Sequence, residues 1–131
     1  MKGAGDTVHI VILNDNEDLL FLFQQLFQDQ GYRVTVTTRE ERALRVISRE
    51  HCDLFIQDLN RMDGAGGVAL LELMRSSPCF CDVPVVVAST EPMFQAQRAA
   101  LAALDVIDAI VLPSDHHTLI ERVRRAIGRQ G

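Results

Sequence analysis

Five short apolar runs recur along this chain, each closed by polar residues and each followed by an amphipathic segment. No Pro/Ser-rich linker and no internal repeat interrupts the series. The runs, residues 8–13, 33–37, 54–58, 84–88 and 107–112, read as strands. The first and third are nearly continuous in aliphatic and β-branched residues, the composition of strands buried on both faces. The run at 33–37 is more polar, as an edge position permits. Pro84 stands first in its run, where no ladder donor is needed. The intervening segments, residues 17–30, 40–50, 68–75, 94–104 and 116–129, read as helices. Leu19, Leu20, Phe23, Leu26 and Phe27 recur at helical spacing in the first, and Gly31 follows as a C′ glycine. Ala43, Leu44 and Ile47 share a face of the second, and Leu70, Leu71, Leu73 and Met74 supply the apolar residues of the third. A strand–helix alternation of this kind implies a parallel sheet with helices on both faces. The chain of 131 residues suits one domain, residues 1–131, with a core over 8–129.

Composition removes several function classes. Hydrophobic residues make up 47% of the chain, enough for a packed core rather than a disordered segment. No apolar run approaches the ~20 residues a membrane helix requires. The first apolar stretch is too short for a signal peptide, so neither export nor a membrane partner is expected. A net charge of −5 argues against direct binding of nucleic acid. Arg122, Arg124, Arg125 and Arg129 are read as offsetting the dipole of the last helix and solvating its face. Cys52, Cys79 and Cys81 are odd in number, which suits a reduced, cytoplasmic setting. Cys79-Phe80-Cys81 lacks the partners of a four-ligand metal site and reads as a loop. His116 and His117 follow Asp115, a good N-cap residue, and read as first-turn surface residues.

Chemistry gathers where the runs end. Asn14-Asp15-Asn16-Glu17-Asp18 follows the first run, Asp58 closes the third, and Ser89 follows the fourth. In open parallel sheets, ligands bind outside the carboxyl ends of the central strands, beside the switch in strand order. Asp15, Asp58 and Ser89 are therefore expected to converge on one rim. Two carboxylates there suit a divalent cation and a phosphoryl group. The alternative, that Asp15 and Asp58 merely cap the helices that follow, explains each singly better than it explains all three together.

These residues together resemble the receiver domain of two-component response regulators, over residues 8–129. The acidic pair after the first strand is Asn14-Asp15, the phosphoaccepting aspartate is Asp58 in an Asp-Leu context, and the hydroxyl residue is Ser89, five residues after Pro84. The glycine opening the third helix corresponds to Gly66 or Gly67, and Leu112-Pro113 stands where the family has Lys-Pro. The resemblance implies a flavodoxin-like, doubly wound (βα)5 fold with strand order 2-1-3-4-5 and a cis Leu112-Pro113 peptide. It implies Mg²⁺ held by Asp15, Asp58 and the Asn60 backbone carbonyl, with Asn14 in the outer shell. Asp58 would take its phosphoryl group from a histidine kinase or phosphotransfer protein, with Ser89 donating to it, in a signalling domain rather than an enzyme.

The departures from the family pattern are specific. Leu112 replaces the lysine, Asn14 replaces the first acid, Met62 stands where the loop usually has proline, Ala109 replaces the aromatic switch residue, and Asp105 replaces a glycine. The family's three carboxylates and one lysine sum to about −2, and so do Asp15 and Asp58 alone, so attraction for Mg²⁺ survives. The phosphoryl group loses a charge-assisted hydrogen bond of roughly 1.5–3 kcal/mol, about ten- to hundredfold in rate or occupancy. Weakened phosphorylation is one expectation. The other is a pseudo-receiver that docks proteins without phosphotransfer, or forms a homodimer, through the fourth helix, fifth strand and fifth helix. The small side chains of Ala99, Ala100, Ala102 and Ala103 permit close approach there, although alanines packed flat on the sheet would explain them equally. A flavin or nucleotide binder of the same fold lacks a phosphate-cradling glycine loop after the first strand. No DNA-binding or enzymatic segment is expected after Arg129.

Overall fold

The computed structural model describes residues 7–59 and 67–128. Five parallel strands, β1 (His9–Leu13), β2 (Arg33–Thr37), β3 (Leu54–Asp58), β4 (Val85–Thr90) and β5 (Asp108–Leu112), form one sheet in the order β2-β1-β3-β4-β5. The helices are α1 (Glu17–Asp29), α2 (Glu40–Arg49), α3 (Gly67–Arg75), α4 (Glu91–Ala102) and α5 (His116–Gly128). This is the flavodoxin-like, doubly wound arrangement that the alternation and the resemblance implied. Arg129, Met62 and Gly66 lie outside the described residues.

The two-residue period of the strands divides the core. Ile10, Ile12, Leu54, Ile56, Val86 and Ala88 face α1 and α5, where Leu20, Phe23, Phe27, Leu119 and Val123 cover them. Val11, Leu13, Phe55, Val85 and Val87 face the opposite way, onto Ala43, Ile47, Leu70, Leu71, Met74 and Leu101. All five residues of β1 and of β3 are buried, whereas β2 and β5 are only partly covered. Full burial on both faces explains why β1 and β3 read as continuous apolar runs.

His9 is the polar exception inside β1, and its ring is fully engaged. The carbonyl of His51 can only accept, so Nδ1–H donates to it at 3.0 Å, and Nε2 then accepts from the Thr35 hydroxyl at 2.8 Å. Burial pushes the Cys52 thiol up to about 12, so it behaves as a core side chain rather than a nucleophile.

Several boundaries differ from the sequence reading. The fourth helix begins at Glu91, with Pro92 in its first turn, where the missing N–H is no loss. The fourth strand runs on to Thr90. Leu73 is exposed although it lies in an apolar helix. Arg122 does more than solvate its face, for its guanidinium donates to both Asp108 carboxylate oxygens at 2.9 and 3.0 Å. Gly31 and Asp105 both have positive φ, 89° and 54°, at the turns after α1 and α4. Aspartate reaches that region with more strain than the glycine it replaces.

Arg75 locks the amino ends of β4 and β5 in a way the sequence did not signal. From the last turn of α3, its guanidinium donates to the carbonyls of Cys81 and Val83 before β4, at 3.0 and 2.8 Å. It also donates to Leu104 and Asp105 before β5, at 2.8 and 3.2 Å. Only a planar fork reaches four carbonyls at once. Arg75→Ala should lower unfolding stability by about 3 kcal/mol in urea titration, and Arg75→Lys should recover less than half of that.

Candidate functional site

Asn14, Asp15, Asn16, Asp58, Thr90 and Leu112 line one cleft of about 720 Å³ at the carboxyl ends of the strands. The register accounts for the gathering: Leu13 pairs with Gln57, Asp58 with Ala88, and Thr90 with Leu112. The capping alternative is removed for Asp15 by the start of α1. Asn16, not Asp15, caps α1, its side-chain oxygen accepting from the Leu19 N–H at 3.1 Å. Asn14 is buried and spent on the loop, since its Oδ1 accepts from the Asn16 N–H at 2.8 Å. These two asparagines fix the turn so that the carboxylate of Asp15 is left at the exposed rim. Asp58 closes β3, and the described part of α3 begins at Gly67.

Asp58 is 5% exposed and held from below. A Cβ on Gly67 would stand 2.4 Å from the Asp58 carbonyl oxygen and 2.9 Å from Gln57 Nε2. Only glycine lets α3 begin this close to the end of β3. Gln57, fully buried, ties the two elements by donating from Nε2 to the Gly67 carbonyl at 2.9 Å. Its Oε1 has no hydrogen-bond partner among the described residues. Sequence reasoning left the choice between Gly66 and Gly67 open and passed over Gln57.

Ser89 sits one residue past Ala88, the register partner of Asp58, and its hydroxyl donates to the Thr90 carbonyl at 3.0 Å. By strand alternation Ser89 lies on the face of Val85 and Val87. Thr90, which the sequence reading missed, falls on the face of Val86 and Ala88 with Asp58 and lines the cleft. The signal was available in the alternation of β4, had the strand been read as two residues longer. Asn60 lies outside the described residues.

The Leu112-Pro113 peptide is cis, as the resemblance implied. Leu112 packs with the core layer under α1 and α5. With Leu19, Leu22, Phe23 and Leu119 it makes the inner wall of the cleft apolar. The described lining carries two carboxylates and no positively charged side chain. Two carboxylate groups on one open rim fit the oxygen preference of Mg²⁺, which commonly uses one or two carboxylates and keeps several waters. Ala109 is half-buried against the layer under α2, α3 and α4, with no ring to rotate.

Comparison with known proteins agrees with this geometry. The family model for the response regulator receiver domain matches residues 10–124. The chain therefore belongs to the response regulator receiver domain family, and it is a receiver domain of two-component signal transduction. It is 26% identical to the regulatory protein VirG of Rhizobium rhizogenes over 121 residues, covering 91% of this chain and 48% of that protein. It is 24% identical to the response regulator SaeR of Staphylococcus aureus, over 92% of this chain and 51% of the relative. The chain thus spans about half the length of the curated relatives it matches. Among solved structures, a sensor protein from Polaromonas superposes with a TM-score of 0.84 at 24% identity, over 96% of this chain and 100% of that one. The receiver domain of a Pseudomonas aeruginosa sensor histidine kinase, with magnesium ion coordinated in its active site cleft, superposes at 0.79 with 20% identity. It covers 94% of this chain and 99% of that one. Receiver domains in general are phosphoacceptor modules that work with histidine kinases or phosphotransfer proteins and commonly bind Mg²⁺.

Gly67→Ala should lower stability by about 1–3 kcal/mol, because the methyl group must displace backbone at the end of β3. The amide resonances of Asp58 and Leu59 should move more than those of β5 in a two-dimensional NMR spectrum.

Proposed function

We propose that Asp58 is the phosphoacceptor of this receiver and that Leu112 makes its phosphorylation slow. Asp58 attacks the phosphorus of a phosphohistidine or small phosphodonor, an O–P bond forms as the bond to the leaving group breaks, and the result is an acyl phosphate. Mg²⁺, when bound, neutralises charge on the transferring phosphoryl oxygens. Asp15 and Asp58 would hold the ion through their carboxylates and Asn60 through its backbone carbonyl, while Asn14 orders the turn that carries Asp15. Thr90, which lines the cleft, offers a hydroxyl donor to the phosphoryl oxygens, and Ser89 would do so only after its hydroxyl leaves the Thr90 carbonyl. The observation carrying this reading is the shared cleft of Asp15 and Asp58, with the cap of α1 supplied by Asn16 and not by Asp15.

Leu112 supplies an aliphatic group where a charge-assisted donor would stand. Restoring it as Leu112→Lys should speed acetyl-phosphate labelling of Asp58 by about tenfold or more, from a bond of roughly 1.5–3 kcal/mol. Asp58→Asn should abolish labelling in both backgrounds. A lysine variant that labels no faster than wild type would move the lesion to Asn14 or the altered loop, and labelling that survives Asp58→Asn would remove the assignment.

A second reading, a docking module independent of phosphorylation, is favoured by the face of α4, β5 and α5. Ala99, Ala100, Ala102 and Ala103 are all exposed, and α4 buries only Leu101, so these alanines do not serve as flat packing on the sheet. With Ala109 in place of a ring, phosphorylation has little leverage on this face. A homodimer or partner helix seated there predicts that Ala103→Glu weakens self-association or partner capture in sedimentation and pull-down without unfolding the domain. Unchanged association, together with loss of signalling in Asp58→Asn, would favour the phosphorylation reading.

A further inference from the structure

Strand β3 reads Leu-Phe-Ile-Gln-Asp, and Gln57 is its one polar side chain before Asp58. Gln57 is fully buried between its register partners Leu13 and Val87, on the face that α3 covers. Burying a carboxamide in such a layer is unfavourable unless its polar atoms are hydrogen-bonded. Nε2 donates to the Gly67 carbonyl at 2.9 Å, while Oε1 has no partner among the described residues. A buried acceptor left unsatisfied costs at least as much as one neutral hydrogen bond contributes. Methionine, unbranched and of similar length, would fill the same layer without that cost. Stability therefore does not account for the carboxamide. What it supplies is a fixed distance between the end of β3 and the described start of α3.

We propose that Gln57 is a positioning residue for Asp58, holding the backbone from which the carboxylate reaches the cleft. The proposal rests on the reading of Asp58 as the phosphoacceptor. Side chains alternate along a strand, so Gln57 and Asp58 leave β3 on opposite faces. Gln57 thus acts from behind the strand and does not touch the reacting atoms. Three contacts define the hold. The carboxamide grips Gly67. A Cβ on Gly67 would stand 2.4 Å from the Asp58 carbonyl oxygen and 3.1 Å from the Leu59 Cα, so α3 abuts the peptide that follows Asp58. The N–H of that same peptide, from Leu59, donates to the Ala88 carbonyl at 3.0 Å. The backbone at Asp58 is therefore held from β4 and from α3, and Gln57 sets the second of these. A helix cap would accept from an N–H, whereas Gln57 donates to a carbonyl, so capping is not its role. Phosphoryl transfer depends on in-line placement of the attacking oxygen, and a misplacement of ~1 Å caused far from the chemistry costs on the order of a hundredfold.

The test is Gln57→Met in the full chain, read by urea titration, by acetyl-phosphate labelling of Asp58 with Mg²⁺ present, and by two-dimensional NMR. The urea midpoint should stay level or rise. The labelling rate at saturating acetyl phosphate should fall about fivefold or more while the half-saturating concentration stays near that of wild type. The amides of Asp58, Leu59 and Val68 should shift. A side chain that merely fastens strand to helix gives the reverse, a lower midpoint with the labelling rate of the folded fraction unchanged, and that result overturns the proposal. Gln57→Leu takes over if Gln57→Met does not fold, and failure of both to fold also overturns it. Labelled wild type with an equal rate in the variant removes the positioning role alone. Wild type that takes no label removes the phosphoacceptor reading, and the positioning role then stands only if Gln57→Met weakens Mg²⁺ binding about threefold or more in NMR titration.

Discussion

Two-sided burial of β1 and β3 is the constraint from which the rest of the molecule follows. A strand covered by helices on both faces has no solvated side on which to carry polar groups. Charged residues are therefore confined to its ends, and a parallel sheet puts all its carboxyl ends on one rim. Asp15 and Asp58 come together for this reason, although 43 positions separate them in the chain. His9 is the one polar side chain that enters β1, and it does so only with both ring nitrogens occupied. The contact of Gly67 with the end of β3 then fixes how near α3 approaches the rim.

Leu112 redistributes the chemistry of that rim. In place of a flexible cation it contributes aliphatic surface continuous with Leu19, Leu22 and Leu119. Leu112 stands where the family has lysine and Asn14 where it has an acid, which leaves Asp15 and Asp58 as the carboxylates of the described rim. Asn14 is more than a deleted charge, because its side chain shapes the turn that exposes Asp15. The described cleft combines two carboxylates with an apolar wall.

The opposite end of the sheet is held by different means. Arg75 gathers four carbonyls from the loops preceding β4 and β5, and Arg122 clamps Asp108 at the start of β5. These bonds steady β5 where Ala109 contributes little packing of its own. Helix α4, anchored by Leu101 as its one buried residue, rests against this edge with its alanines facing outward.

The sequence by itself determined the fold and the rim. Apolar runs of strand length alternating with amphipathic segments admit a parallel doubly wound sheet and little else, and the positions of Asp15 and Asp58 at run ends follow from the same pattern. It also marked Leu112, Ala109 and Asp105 as departures, the last standing where the resembling family has a glycine. What tertiary structure alone decided is which neighbours those residues meet. That Asn16 and not Asp15 caps α1, that Thr90 shares the face of Asp58 while Ser89 lies on the other, and that Gly67 touches the Asp58 carbonyl depend on ångström-scale register between segments far apart in the chain. The four-carbonyl grip of Arg75 and the leucine wall of the cleft are likewise invisible in one dimension. Local periodicity encodes which face a side chain takes, but only the packed sheet decides which distant residue faces it.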